Sequence, residues 1–279
     1  MPTQNKQGTF KGAKGLELYY QSWHPPATAT AHAVIVMVHG HGGHSGIFDR
    51  VVEFLTQQHY LIYGFDLRGN GRSPGQRGYI DNWAEFRTDL TAFIDLVTAE
   101  NPDLPMFLLG QSLGGAIVLD YALHNADSIK GLIVMSPALG LGISPGLIFL
   151  SKLLSAILPR FSLDTGIDFA ACSRDAELLP TLAQDTLRHS MGTTRLATEL
   201  LKTINWIHAH ASDLKIPVLI LHGGADTVTL AKDSQAFYNR LTTADKEIKI
   251  YPDSYHELQH ELNYQEVLAD IANWLNGHL

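Results

Sequence analysis

Apolar residues fall along this chain in two alternating patterns. Short continuous runs occur at Ala33 to Val38 (AVIVMV), Leu61 to Leu67 (LIYGFDL), Met106 to Leu109 (MFLL), Ile129 to Met135 (IKGLIVM) and after Pro217 (PVLILHG). Their length and β-branched content suit strands buried on both faces, as in a parallel sheet. Leu16 to Trp23 and Lys246 to Tyr251 read as further extended segments. Between these runs the spacing turns helical. Val51, Phe54 and Leu55 share a side within 47–59. Phe86, Leu90, Phe93, Ile94 and Val97 do so within 83–100, with Asp81 or Asn82 as the expected cap. Further helices are expected at about 230–241 and 264–275. This alternation predicts an α/β architecture, a doubly wound and mostly parallel sheet with helices on both faces.

The alternation stops after Pro137 and resumes at Pro217. Residues 138–213 therefore read as a helical insertion into a core formed by 1–137 and 214–279. Within the insertion, Gly146 to Leu158 (GLIFLSKLLSAIL) is apolar almost all round, with Lys152 its only charge. Such a stretch suits a buried helix. Placed after a strand of the sheet, it also suits the wall of a substrate pocket or a lid, with Leu147, Leu150 and Leu154 as candidate contacts. It does not separate into apolar and basic faces, although a cap of this kind is a candidate for transient membrane or micelle contact.

Composition narrows the function. Of 279 residues, 45% are hydrophobic and 17% charged, as expected for a folded chain. A formal net charge of −8 argues against a nucleic-acid partner. The single cysteine, Cys172, excludes an internal disulfide and suits a reducing compartment. No apolar leader is visible in MPTQNKQGTF and no run is long enough to span a membrane. The expected location is cytoplasmic, or peripheral at a membrane.

The strongest chemical signal is MFLLGQSLGGAIVL, residues 106–119, an apolar strand turning through glycines into a helix with Ser112 at the apex. That is the order of a nucleophile elbow. The bare pattern G-x-S-x-G occurs three times, around Ser73, Ser112 and Ser144. In an elbow, the amide after the serine helps to hold the oxyanion. Pro74 and Pro145 have no N–H to offer; Leu113 has one. Ser112 is thus the candidate nucleophile, and Ser73 and Ser144 are read as turn serines.

A serine hydroxyl needs a base, and the base needs an orienting acid. In an elbow fold the chain order is Ser, then acid, then His. Asp226 lies just past the tip of the PVLILHG strand, and His256 past the tip of the next. They are the candidate acid and base. Asp253 is too close to His256 in sequence to compete. His222, at a strand end, is expected to be packed or hydrogen-bonded, and His260 to lie at the surface. The second oxyanion donor is expected from the turn His39-Gly40-His41-Gly42, as the backbone N–H of His41. Its histidines match no common zinc spacing, so no metal or cofactor is expected. Asp66 to Ser73 reads as a structural turn.

These residues together resemble the monoacylglycerol lipase and lysophospholipase family of serine α/β-hydrolases. His39 to Gly46 is similar to that family's HGxGxHSG turn, and Asp66 to Gly78 to its DxxGxGxSxGxRG loop. Leu158 to Ser162 with Ser173-Arg174 is similar to its cap, and Tyr251 to Glu261 to its histidine loop. The resemblance implies an α/β-hydrolase fold. It also implies hydrolysis of one acyl chain from a small polar head, with the cap shaping the acyl tunnel. Two positions depart from the family pattern. Gln111 stands where a histidine usually precedes the nucleophile, and Gly43 where an acid is common. Both lie at the polar end of the site, with Gly40 and Gln111 as candidate substrate contacts.

The reading is a cofactor-independent serine esterase or lipase acting on a small acyl ester. An aminopeptidase-like amide hydrolase, a non-enzymatic ligand receptor on the same scaffold and a lipid-surface-binding protein are the rivals.

Overall fold

The computed structural model describes residues 4–26, 29–125, 128–140, 145–168 and 172–279, excepting the side chains of residues 145 and 147–150. The chain runs β1 (Gln4–Lys11), β2 (Glu17–His24), β3 (Ala33–Val38), α1 (Asp49–Gln57), β4 (Tyr60–Phe65), α2 (Ala84–Glu100), β5 (Met106–Gln111), α3 (Leu113–His124) and β6 (Gly131–Met135). It continues with α4 (Pro145–Ile157), β7 (Ser162–Asp164), α5 (Leu179–Gln184), β8 (Met191–Thr193) and α6 (Thr194–Ala209). It closes with β9 (Val218–Gly223), α7 (Ala231–Arg240), β10 (Lys246–Tyr251) and α8 (Tyr264–Gly277).

Eight strands form one sheet in the order β1-β2-β4-β3-β5-β6-β9-β10. β2 runs antiparallel to β1 and β4, and the strands from β4 to β10 are mutually parallel. The run AVIVMV shows why the sheet sits centrally. Val34, Val36 and Val38 point into one apolar layer with α2 and α3. Ala33, Ile35 and Met37 point into the other with α1 and α8. A strand apolar on both faces demands helices on both faces.

Three features differ from the sequence reading. β1 carries one core residue, Phe10, so its polar edge-strand sequence gave no periodicity to detect. Neither Asp81 nor Asn82 caps α2. Trp83 stands at the cap position without a side-chain bond, while Glu85 reaches back to accept the Asp81 amide at 3.0 Å. The segment between β6 and β9 is not purely helical. It contains the two-stranded β7–β8 ladder, in which Leu163 pairs with Gly192.

Candidate active site

The parallel strands bring their carboxyl ends to one edge, where open α/β sheets hold their sites. Ser112 follows β5 directly and has φ 54° and ψ −119°. This conformation is strained for a residue with a Cβ, and the surroundings enforce it. Its amide donates to Met135 O at 3.0 Å, and its carbonyl accepts from Ala138 N at 2.9 Å. Glycine is required on both sides. A Cβ on Gly110 would lie 2.5 Å from Gly114 O, and one on Gly114 would lie 2.0 Å from Val38 O. Ser73, by contrast, is a buried turn residue whose hydroxyl donates to Asp66 O at 2.5 Å and accepts from Tyr19 N. Ser144 lies outside the described residues.

Asp226 and His256 come together from the tips of β9 and β10. Asp226 Oδ2 accepts the His256 Nδ1–H at 2.7 Å. Its Oδ1 accepts the amides of Val228 and Thr229 at 2.8 and 3.0 Å. Burial alone would raise the Asp226 pKa. Hydrogen bonds from His222 and His256, and the Thr229 amide, outweigh that and hold the carboxyl well below the carboxylate range. An ionised acid on Nδ1 leaves His256 Nε2 with a free lone pair, the tautomer a general base needs. Among the described residues Ser112 Oγ has no hydrogen-bond partner, and such bonds are commonly long before substrate binds. Asp253, set aside for its closeness to His256 in sequence, is exposed.

Two supporting residues were not legible in the sequence. Thr229 Oγ1 lies 2.9 Å from Asp226 Oδ2, 3.1 Å from Ser136 O and 3.2 Å from His256 Nδ1. It thus joins the tips of β6, β9 and β10. Asn70 Oδ1 accepts the Gly42 amide at 3.1 Å and faces His189 Nε2 at 2.9 Å. Each is a polar residue in a loop, and nothing in its local pattern marks it. His222 is packed and bonded as expected, to Ser234 Oγ at 2.7 Å and Thr229 O at 3.0 Å, and it also lies 3.3 Å from Asp226 Oδ2.

The turn after β3 sits beside the serine. A Cβ on Gly40 would lie 2.4 Å from Gln111 Oε1 and 2.9 Å from Ser112 Cβ, so both candidate contacts border the nucleophile. Among the described residues the amides of His41 and Leu113 have no acceptor. The turn's histidines serve the fold. His39 donates Nδ1–H to Gly40 O and accepts the Leu67 amide on Nε2, with burial pushing its pKa down to about 4. His44 pairs with Asp185 at 2.7 Å. His41 is pushed down to about 4 by burial and by His189, whose ring lies edge-on at 5.5 Å. Asp66 also acts structurally, accepting from Ser45 N and Arg72 N at 2.7 and 2.8 Å.

His260 corrects the sequence reading. It is buried, not superficial, because its loop is a 3-10 turn beneath α1 rather than an exposed helix. Its Nδ1 binds Glu257 at 2.7 Å. Burial lowers the His260 pKa, but Asp49 and Glu257 raise it further, to about 9. Glu257 is opposed by burial and held down at about 2 by His260 and Arg188.

On the insertion, Leu154 is half-buried on α4. The side chains of Leu147 and Leu150 lie outside the described residues. Among the described residues no helix is long and apolar enough to cross a membrane.

The chain is similar to known proteins over nearly its whole length. The family described as Hydrolase_4, serine aminopeptidase, S33, matches residues 29–263. The monoacylglycerol lipase of Mycolicibacterium smegmatis is 29% identical across 97% of this chain and 97% of its own length. The monoglyceride lipase of Rattus norvegicus is 30% identical across 96% and 89%. The crystal structure of the Paleococcus ferrophilus monoacylglycerol lipase has a TM-score of 0.85 at 31% identity, across 95% of this chain and 100% of that one. Shared fold and near-complete coverage lead to one conclusion: the chain belongs to the monoacylglycerol lipase family of α/β-hydrolases and is a carboxylic ester hydrolase.

Proposed function

We propose that this chain hydrolyses the ester of a single acyl chain with a small polar alcohol, of the monoacylglycerol type, through Ser112, His256 and Asp226. Ser112 Oγ attacks the ester carbonyl while His256 Nε2 takes its proton. The amides of His41 and Leu113 receive the oxyanion. The tetrahedral intermediate collapses, His256 protonates the leaving alcohol, and an acyl-Ser112 ester remains. Water, deprotonated by His256, then releases the fatty acid. Asp226 keeps the imidazole oriented and stabilises its charged form. Residues 138–213 act as the cap over a core of 1–137 and 214–279, with α4 as the acyl-side wall and Gly40 and Gln111 at the alcohol side. The observation that carries the reading is Ser112 itself, held at positive φ between strand and buried helix with the Gly40 turn against its Cβ.

The aminopeptidase reading needs a carboxylate for the substrate amine. Among the described residues the buried acids around the site are already engaged: Asp226 by His256, Glu257 by Arg188 and His260, Glu261 by Arg174, Asp66 by backbone amides. That favours a neutral alcohol head. The test is Ser112→Ala against p-nitrophenyl acyl esters, followed by competition among monoacylglycerols, lysophospholipids and aminoacyl anilides. Turnover is expected to fall roughly 10⁴-fold or more. Full turnover in the variant sinks the assignment. Ligand binding by the wild type without burst or turnover supports the receptor reading instead.

A further inference from the structure

The base loop is gripped by the insertion. Glu257, the residue after His256, donates its amide to Cys172 O at 2.8 Å. Its carboxylate receives both terminal nitrogens of Arg188, one at 3.4 Å and one closer. The two side chains are 3% and 5% exposed, so this ion pair is shielded from water. Nearby, Ser173 Oγ donates to His260 O at 2.7 Å, and Arg174 Nε to Glu261 Oε2 at 2.7 Å. Glu261 Oε1 in turn accepts the Tyr255 amide at 2.9 Å, on the other side of His256.

We propose that Arg188 is a positioning residue for the base: through Glu257 it fixes the backbone of His256, so the base is aligned only while the insertion is docked. The inference rests on the Ser112–His256–Asp226 reading above. Asp226 can orient the imidazole about its own bonds, but it cannot set where the ring is carried. That is set by the residues flanking 256: the insertion holds Glu257 directly, through Cys172 O and Arg188, and Tyr255 through Glu261, which Arg174 binds. A displacement of about 1 Å at a base is enough to cost roughly 100-fold in rate.

The charge arrangement supplies a second readout. The groups facing Glu257 are Arg188 from the insertion, His260 from its own loop with Asp49 of α1 behind it, and the neutral Cys172 thiol, which burial pushes up. Asp226 faces His256 from β9. Removing Arg188 takes one positive charge from the surroundings of a histidine that must become positive, and so favours its charged form.

The test is Arg188→Met in the full-length enzyme, assayed on a short soluble ester. The expected kcat falls roughly 30-fold with KM changed less than about twofold. The acid limb of the kcat/KM profile is expected to move to higher pH by roughly half a unit. Arg188→Lys keeps the charge but not the forked geometry, and restores the limb while recovering part of kcat. Glu257→Gln combined with Arg188→Met is expected to be no worse than the weaker single variant, since both act through one contact. Wild-type kcat in Arg188→Met, losses that add in the double variant, or an effect confined to KM would overturn the proposal. Should Arg188→Met not fold, Arg188→Lys decides alone, and wild-type kcat in it counts against the proposal. An inactive Ser112→Ala beside a wild-type-like Arg188→Met removes this inference alone; an active Ser112→Ala removes the triad reading itself.

Discussion

Residues 145–164 and 172–193 form the first and second halves of one stretch between β6 and β9, yet different physics holds each half. The first half presents apolar surface. Leu153, Ile157, Leu158, Phe161 and Leu163 are 46–67% exposed. Within the insertion α4 packs on α6 and Arg195 donates to Ser155 O at 3.0 Å; outside it the described ties are few, Gln76 donating to Arg160 O at 2.7 Å and the Arg160 guanidinium lying 4.4 Å over the Tyr79 ring. The second half is pinned by charge. Arg174 pairs with Glu261, Arg50 with Asp175 and Arg188 with Glu257, and His44 Nε2–H adds a hydrogen bond to Asp185. His189 N donates to Gly42 O at 3.0 Å, beside the turn expected to hold the oxyanion. Apolar contacts are non-directional and tolerate sliding. Buried ion pairs are not, because leaving one partner unpaired is costly. The lesson is a division of labour: one half leaves apolar surface exposed, the other is bound to the loops that carry His256 and the Gly42 turn.

That comparison can be broken most sharply at Gly42. Its φ is +69°, and a Cβ there would lie 1.8 Å from His189 O. Gly42→Ala is expected to cost about 3 kcal/mol, combining backbone strain with overpacking. Because His41 is adjacent, kcat should drop about 100-fold. Thermal melting and limited proteolysis check this: new cleavage belongs within 172–193, not within α4. An unchanged melting temperature would mean that the second half is not held by close contact with the turn.

A smaller effect follows from pH. Glu257 is depressed to about 2 from 4.5, so its contribution is full above about pH 4.5 and lost as pH falls toward 2. His260 is raised to about 9 from 6.5, so its contribution is full below pH 6.5 and lost as pH rises through 9. The clamp is therefore complete between pH 4.5 and 6.5 and weakens above. Hydrogen exchange corrected for intrinsic rate should accelerate in 172–188 between about pH 7 and 9.5, with α4 unaffected. His260→Gln should flatten that trend. Equal acceleration in both halves would erase the distinction.

The smallest expected change is at Ile157, 67% exposed on the first half. Ile157→Ser should alter stability by no more than about 0.5 kcal/mol. Losing that apolar surface should lower activity on a long-chain micellar ester by roughly fivefold, with a short soluble ester unaffected. Equal activity on both substrates would assign α4 to packing alone.

Much of the core was legible because its causes are local. A doubly buried strand writes itself as AVIVMV or VLILHG. A backbone forced to positive φ at Ser112 needs glycines on both sides, and an amide after the serine excludes Pro74 and Pro145. Asp226 and His256 were placed by chain order and strand tips alone, and the structure brings them within 2.7 Å. The edge strand β1 was not legible, since an edge needs only one apolar residue and its partners supply the rest.

What the sequence alone determined, then, was the parallel sheet, the elbow and the candidates at the strand tips. Their signals lie within a few residues of one another, where periodicity and backbone chemistry act. Only the tertiary structure decided that His260 is buried and charged, that Thr229 joins three strand tips, and that Arg188 reaches Glu257 across 69 residues of chain. An ion pair across that separation leaves no mark in either neighbourhood. An arginine and a glutamate look like solvated surface until folding removes the water around both.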